Sequence, residues 1–180
     1  MKRPIDLSHD FLSEIVTKDS ILVDGTMGKG NDTLYFAPLV KQLFAFDIQK
    51  EALEITRKKI EDKAYKNVQL ILDGHENLDH YVDKVDAAIF NLGYLPSADK
   101  SIITKPHTTI EALEKVLARL SKGGRIAIMV YYGHQGGQKE KDALMDYLSQ
   151  LDQKEVTVMT YKAINQVNTP PFLIMIEKHS

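Results

Sequence analysis

Residues 155–178 read EVTVMTYKAINQVNTPPFLIMIEK: two runs rich in β-branched and apolar residues, 155–164 and 172–178, joined by a linker of seven residues that carries Pro170 and Pro171. Such runs read as strands, and a linker this short cannot hold the crossover that parallel neighbours need, so the last strand is expected antiparallel to its predecessor. Upstream the pattern is different. Apolar runs at 20–24 (SILVD), 42–47 (QLFAFD), 68–73 (VQLILD), 85–91 (VDAAIFN) and 125–132 (RIAIMVYY) are separated by stretches with helical character. Gln49 to about Lys63 lacks Gly and Pro. Ile110, Leu113, Leu117 and Leu120 share one helical face that Gly123 and Gly124 would end, and Leu144, Tyr147, Leu148 and Leu151 share another. Strands alternating with helices of ten or more residues imply βαβ units and a sheet covered on both faces. The expectation is an α/β fold with a seven-stranded, mostly parallel sheet and an antiparallel last strand.

The 180 residues are 43% hydrophobic and 27% charged, as in ordinary globular chains, and no repeat or low-complexity tract divides them, so one domain over 1–180 is expected. Cys is absent. That excludes a disulfide framework, a cysteine zinc site and a cysteine nucleophile, and it suits a reducing cytoplasm. The start MKRPIDLSHDF has early charges and no apolar stretch of signal-peptide length, and 126–132 (IAIMVYY) is too short to cross a bilayer. A net charge of -2 argues against purely electrostatic nucleic-acid binding, so an RNA contact would rest on a local patch, shape or stacking.

Chemistry concentrates after the strands, where an open α/β sheet binds its ligands. The first strand runs into Asp24-Gly25-Thr26-Met27-Gly28-Lys29-Gly30. A dinucleotide loop would read G-x-G-x-x-G, but this one reads G-x-x-G-x-G. Gly25 to Gly30 satisfy the glycine spacing of a phosphate loop, yet Asn31 and Asp32 replace its Lys and Ser/Thr, and an acid there would repel a triphosphate. The D-x-x-x-G-x-G pattern of Asp24, Gly28 and Gly30 resembles instead the loop that holds S-adenosylmethionine, whose methionine end is not phosphorylated. Asp47 closes the second strand 17 positions after Gly30, near the spacing at which a carboxylate meets ribose hydroxyls. Asp73, with Gly74 and His75 beside it, can accept from an adenine amino group. A dinucleotide-binding sheet ends in parallel strands, whereas the antiparallel ending predicted here is the arrangement of the class I S-adenosylmethionine-dependent methyltransferase (Rossmann-like) fold.

After the fourth strand comes Asn91-Leu92-Gly93-Tyr94-Leu95-Pro96. It resembles the four-residue motif of amino-methylating enzymes, which starts with Asp, Asn or Ser and ends in an aromatic, with Leu-Gly here in the middle. An amine must be held with its lone pair aimed at the methyl carbon. The Asn91 side-chain oxygen can accept its N–H bonds, and positive charge gathering on nitrogen strengthens them in the transition state. Tyr94 can stack on a base.

Taken together, VDGTMGKGNDT (23–33), FAFDIQ (44–49), DGHENL (73–78), NLGYLP (91–96), KPHTTIEAL (105–113), YYGHQGG (131–137) and NQVNTPP (165–171) make the chain resemble the bacterial tRNA 5-aminomethyl-2-thiouridine methyltransferases, formerly described as rRNA methylases. The resemblance covers nearly the whole chain. Two departures stand out: Gly25 and Asn31 where Ala and His are expected, and Ser97 and Ala98 where two glycines are expected. The resemblance implies methyl transfer from S-adenosylmethionine to the aminomethyl nitrogen of the tRNA wobble uridine, giving 5-methylaminomethyl-2-thiouridine. It implies cofactor contacts from Asp24, Thr26, Met27, Gly28, Gly30, Asn31, Asp32, Asp47, Gln49, Asp73, His75 and Asn91. Asn91, Tyr94 and His134 would be catalytic, His134 as the proton acceptor. Tyr94, Pro96, Lys105, Thr108, Tyr132, His134, Asn168 and Pro170 would line the substrate pocket, Lys100 and Lys105 meeting the backbone of the tRNA anticodon arm. No metal and no membrane are implied, and because so small an enzyme has limited surface for gripping a tRNA arm, a homodimer is expected. Arg57, Lys58 and Lys59 read as a solvated helix face. Methylation of another RNA or DNA amine or of a small-molecule amine, RNA binding without catalysis, and nicotinamide oxidoreduction stay open as alternatives.

Overall fold

A computed structural model describes residues 1–93 and 106–179. In chain order the elements are α1 (Pro4–Ser13), β1 (Ile21–Asp24), α2 (Asn31–Phe36), β2 (Gln42–Asp47), α3 (Lys50–Asp62), β3 (Val68–Leu72), β4 (Val85–Leu92), α4 (Pro106–Arg119), β5 (Leu120–Val130), α5 (Gly137–Ser149), β6 (Val156–Tyr161) and β7 (Phe172–Lys178), with short 3-10 turns at Ala37–Leu39 and His75–His80. The seven strands form one sheet in the order β3-β2-β1-β4-β5-β7-β6. The pairs from β3 through β5 are parallel, and β7 runs antiparallel to both β5 and β6. The fold class and the reversed last strand are as the sequence predicts.

Side-chain alternation along the strands divides the core into two layers. Val23, Phe46, Ala88 and Phe90 pack on one face with α4 and α5, while Leu22, Ala45, Ala87 and Ile89 pack on the other with α1, α2 and α3. Ala87 to Phe90 are buried without a break, as a central parallel strand covered on both faces requires. The sequence pattern misses α1 and α2. It also carries the fourth helix too far: α4 stops at Arg119, and Leu120 begins β5 opposite Val85. The glycines expected to end the helix lie inside the strand, Gly123 with φ +80° at the register shift between Val85 and Ala87.

Strand direction places all the chemistry on one edge. Asp24, Asp47, Asp73 and Asn91 stand at or just beyond the carboxyl ends of β1 to β4, and Tyr131 to His134 follow β5. Because β7 is reversed, Phe172 pairs with Val130, and the β6–β7 connection carrying Asn168 and Pro170 returns to the same edge. β1 is joined onward to β2 on one side and hydrogen-bonded to β4 on the other, so the gap between β1 and β4 is the topological switch point at which such sheets open a ligand crevice.

Candidate active site

The glycine loop after β1 is fixed by bonds to both neighbouring strands. The Gly25 amide donates to the Ile89 carbonyl and the Met27 amide to the Phe46 carbonyl, each at 2.9 Å. A Cβ at Gly25 would lie 2.2 Å from the Phe90 ring, so a larger residue there requires the ring to shift. Asp24 is 0% exposed. Its oxygens accept from the Thr26 amide at 3.1 Å and the Thr33 hydroxyl at 2.7 Å. Burial, and next the neighbouring Asp32 carboxylate, push its carboxyl up to about 8. Asp24, expected at the cofactor, is thus an internal staple of the loop. Met27, also expected at the cofactor, is buried in the layer beneath the loop. Thr26 faces the switch point, where its hydroxyl accepts the Asn91 amide N–H at 2.7 Å.

Asp47 orders the next loop. One oxygen accepts the Gly28 amide at 3.1 Å and the other the Gln49 amide at 2.9 Å. The space over Gly28 is open, since a Cβ there would meet only the Thr26 carbonyl at 4.0 Å, whereas one at Gly30 would strike Thr56 at 2.9 Å. Asp73 accepts from the Gly74 amide, the Asn77 amide group and the Tyr81 hydroxyl. Burial works to raise its pKa, but those three donors outweigh it and hold the carboxyl below the usual range. His75 is buried edge-on to Phe90 with Nδ1 3.0 Å from the Gly25 carbonyl. A carbonyl only accepts, so Nδ1 carries the proton and Nε2 is left as a bare acceptor without a partner. Burial depresses its pKa, which keeps that lone pair available. Asn31 is exposed at the start of α2 and Gln49 is half-buried just before α3.

At the end of β4 the Asn91 Nδ2 donates to Asp32 Oδ2, and Asn91 Oδ1 is buried with no partner among the described residues. The second oxygen of Asp32, a residue expected at the cofactor, is 2.6 Å from His9 Nε2. His9, on the helix that the sequence pattern misses, stacks on Tyr35 at 4.1 Å and meets Phe36 edge-on. On the other side of Asn91 lies His134: a Cβ at Gly93 would sit 2.6 Å from its Cε1 and 2.1 Å from the Tyr131 carbonyl. His134 Nε2 has no hydrogen-bond partner among the described residues and is 3.9 Å from Glu140 Oε2. Glu140, unremarked in the sequence, is buried in the first turn of α5, and burial pushes its carboxyl up to about 7.

The remaining expected contacts divide. Tyr132 is buried in a T-shaped pair with Phe172 at 5.8 Å, and the Lys141 and Lys162 ammonium groups lie 5.2 and 5.8 Å from its ring. Thr108 is half-buried in the first turn of α4, Pro170 is half-buried, and Asn168 is exposed with φ +69°. Tyr94, Pro96, Lys100 and Lys105 lie outside the described residues. Among the described residues no group of His, Cys, Asp or Glu is placed to hold a metal, and no helix is long and apolar enough to cross a membrane.

The family model described as "Putative rRNA methylase" matches residues 43–177. The chain belongs to this family. It is a methyltransferase, and its fold is shared with solved relatives. A Streptococcus mutans protein, described as "a putative methyltransferase" in complex with SAH, is 58% identical, covers 99% of each chain and superposes with a TM-score of 0.94. A Clostridium thermocellum protein described as a "putative rRNA-methylase" is 45% identical over 99% of this chain and 98% of its own, with a TM-score of 0.96. A curated relative is the chloroplastic tRNA (mnm(5)s(2)U34)-methyltransferase of Arabidopsis thaliana, 30% identical over 99% of this chain and 71% of that protein.

Proposed function

We propose that the chain methylates the aminomethyl nitrogen of 5-aminomethyl-2-thiouridine at the tRNA wobble position. The methyl donor is S-adenosylmethionine, which when bound supplies an electrophilic methyl group on a sulfonium. The rim suits such a molecule. Asp47, Asp73, His75 Nε2 and Asn91 Oδ1 present acceptors, and the donor carries ribose hydroxyls, an adenine amino group and an ammonium, all hydrogen-bond donors. Asp47 would hold the ribose hydroxyls, Asp73 and His75 the nitrogen-bearing ends, and open space over Gly28 lets the backbone come close.

The observation that carries the reaction type is the unpaired Asn91 Oδ1 at the switch point. A buried carbonyl oxygen without a partner costs roughly 1–3 kcal/mol, which is recovered when a ligand donates to it. An amine does so: Asn91 accepts one N–H and leaves the lone pair free to point at the methyl carbon. As nitrogen becomes positive, that hydrogen bond tightens, so it favours the transition state over the ground state. His134 Nε2, against the same turn, takes the proton that the methylated nitrogen sheds. The tRNA substrate is supported by the Arabidopsis relative's name, and Tyr94 would supply the stacking surface.

Two measurements test the reading. Nucleosides of tRNA from cells lacking the protein should accumulate the aminomethyl form at the expense of the methylaminomethyl form; an unchanged ratio rejects the substrate. Purified protein with isotope-labelled donor should label tRNA that lacks the modification and leave DNA and small amines unlabelled.

A further inference from the structure

We propose that Asp32, held from behind by His9, sets the sense of the Asn91 carboxamide and is thereby a positioning residue for amine methylation. The inference rests on the reading of Asn91 as the amine acceptor and explains why that side chain leaves its oxygen and not its nitrogen unpartnered. A carboxamide has two nearly isosteric ends, and only the oxygen can accept an amine N–H; the NH2 end would repel it. The carboxylate of Asp32 is acceptor-only, so Asn91 can meet it only through Nδ2, as observed, and Oδ1 is turned to the unpartnered side. Turning the amide over would set Oδ1 against Asp32 Oδ2, two acceptors in contact. The Asn91 backbone cannot swing away, because its N–H is held by Thr26.

Asp32 in turn has little freedom. It is 6% exposed, and His9 Nε2 occupies its other oxygen at 2.6 Å. The imidazole that donates there is fixed by Tyr35 and Phe36. The helix carrying it is fastened to the sheet by Arg125, which donates to the Phe11 carbonyl at 2.8 Å, pairs with Glu14 and lies 4.5 Å over the Phe11 ring. An N-terminal helix outside the strand-helix alternation thus reaches the reacting end of β4 through two side chains.

The test is Asp32→Asn, which keeps the shape and removes the obligatory acceptor. Turnover of unmodified tRNA should fall on the order of 100-fold, while KM for tRNA, affinity for S-adenosylhomocysteine and melting temperature stay near wild type. In nitrogen-resolved NMR of the protein without substrate, the downfield Asn91 side-chain amide proton expected from a carboxylate partner should move upfield in Asp32→Asn. His9→Gln, whose amide can still donate to Asp32, should retain more turnover than His9→Ala. In an Asn91→Ala background, Asp32→Asn should cost no more than about twofold further, as expected of a residue acting through its neighbour. Full turnover in Asp32→Asn beside a crippled Asn91→Ala would overturn the positioning role and leave the amine acceptor standing. Full turnover in Asn91→Ala would remove both. Should Asp32→Asn fail to fold, the His9 pair and the NMR signal of the wild type decide alone: equal losses in His9→Gln and His9→Ala, or no downfield proton, refute the proposal.

Discussion

The two halves of the sheet edge treat their polar groups in opposite ways. On the β1–β2–β3 side every carboxylate oxygen of Asp24, Asp47 and Asp73 accepts from a nearby amide, hydroxyl or carboxamide of the protein. On the β4–β5 side Asn91 Oδ1, His134 Nε2 and Glu140 Oε1 are buried without partners among the described residues. His75 Nε2 is the exception on the first side. Internal bonds hold a loop in its working shape before any ligand arrives, so the first half is a finished seat. Unpaired buried atoms raise the energy of the empty state by roughly 1–3 kcal/mol each and are relieved only by what binds. The second half is therefore where stability is given up, as expected if donor binding and amine methylation are divided between the halves.

Exchanging the two halves' key residues gives the sharpest contrast. Asn91→Ala should lower turnover by about 10²- to 10³-fold, the usual cost of one group aimed at developing charge, with donor affinity nearly unchanged. Asp47→Ala should do the reverse, weakening S-adenosylhomocysteine about 10- to 100-fold, in line with about 1.5–3 kcal/mol for a hydrogen bond to a charged group, while turnover at saturating donor survives. Calorimetric titration beside single-turnover kinetics separates the two. If both variants move the same parameter, the division of labour is wrong.

Glu140 provides a stability measurement on the second half. Its folded carboxyl titrates at about 7 against 4.5 for the free group, so the folded state holds the proton more tightly. Stability from this group is then intact below about pH 4.5 and is lost as pH rises through 7. The whole difference is worth about 3 kcal/mol, at about 1.4 kcal/mol for each pH step between the two values. Glu140→Gln should therefore gain stability relative to wild type between pH 5 and 8 and match it at pH 4. Parallel denaturant titrations across that range should show the two curves diverging; constant separation would mean that the carboxyl is not held neutral by burial.

The architecture was readable because two local signals sufficed. Apolar runs, the first three ending in acids, marked the strands, and the short linker with Pro170 and Pro171 marked the reversed last one. The edge carrying the site follows from strand direction alone. What was hidden is the partner of each side chain. The D-x-x-x-G-x-G spacing located the loop but did not tell that Asp24 and Met27 turn inward beneath it, because their burial depends on α2 and on residues of β2 and β4. His9 and Asp32 are 23 positions apart, and Asp32 and Asn91 are 59 apart. No periodicity links such residues before the chain is folded. Glu140 sits in a helical turn between Lys139 and Lys141, where a charge ordinarily faces water. Only the packing of α5 beside His134 shows otherwise.

The smallest expected effect separates shape from strain on the two sides of the edge. Gly28 and Gly93 both have positive φ, +50° and +80°. At Gly93 a methyl group would also run into the Tyr131 carbonyl and His134, so Gly93→Ala should unfold the turn beside the acceptor site. At Gly28 nothing lies closer than the Thr26 carbonyl at 4.0 Å, so Gly28→Ala meets only the left-handed backbone penalty, about 1 kcal/mol, or about 2–4 °C in melting temperature for a chain of this size. The open space is the point of interest. If the donor lies there, as the seat described for Asp47 requires, the added methyl group intrudes on it, and affinity for S-adenosylhomocysteine falls by more than the folding penalty accounts for. A Gly28→Ala variant that melts slightly early yet binds with full affinity would show that the backbone at Gly28 does not approach the donor.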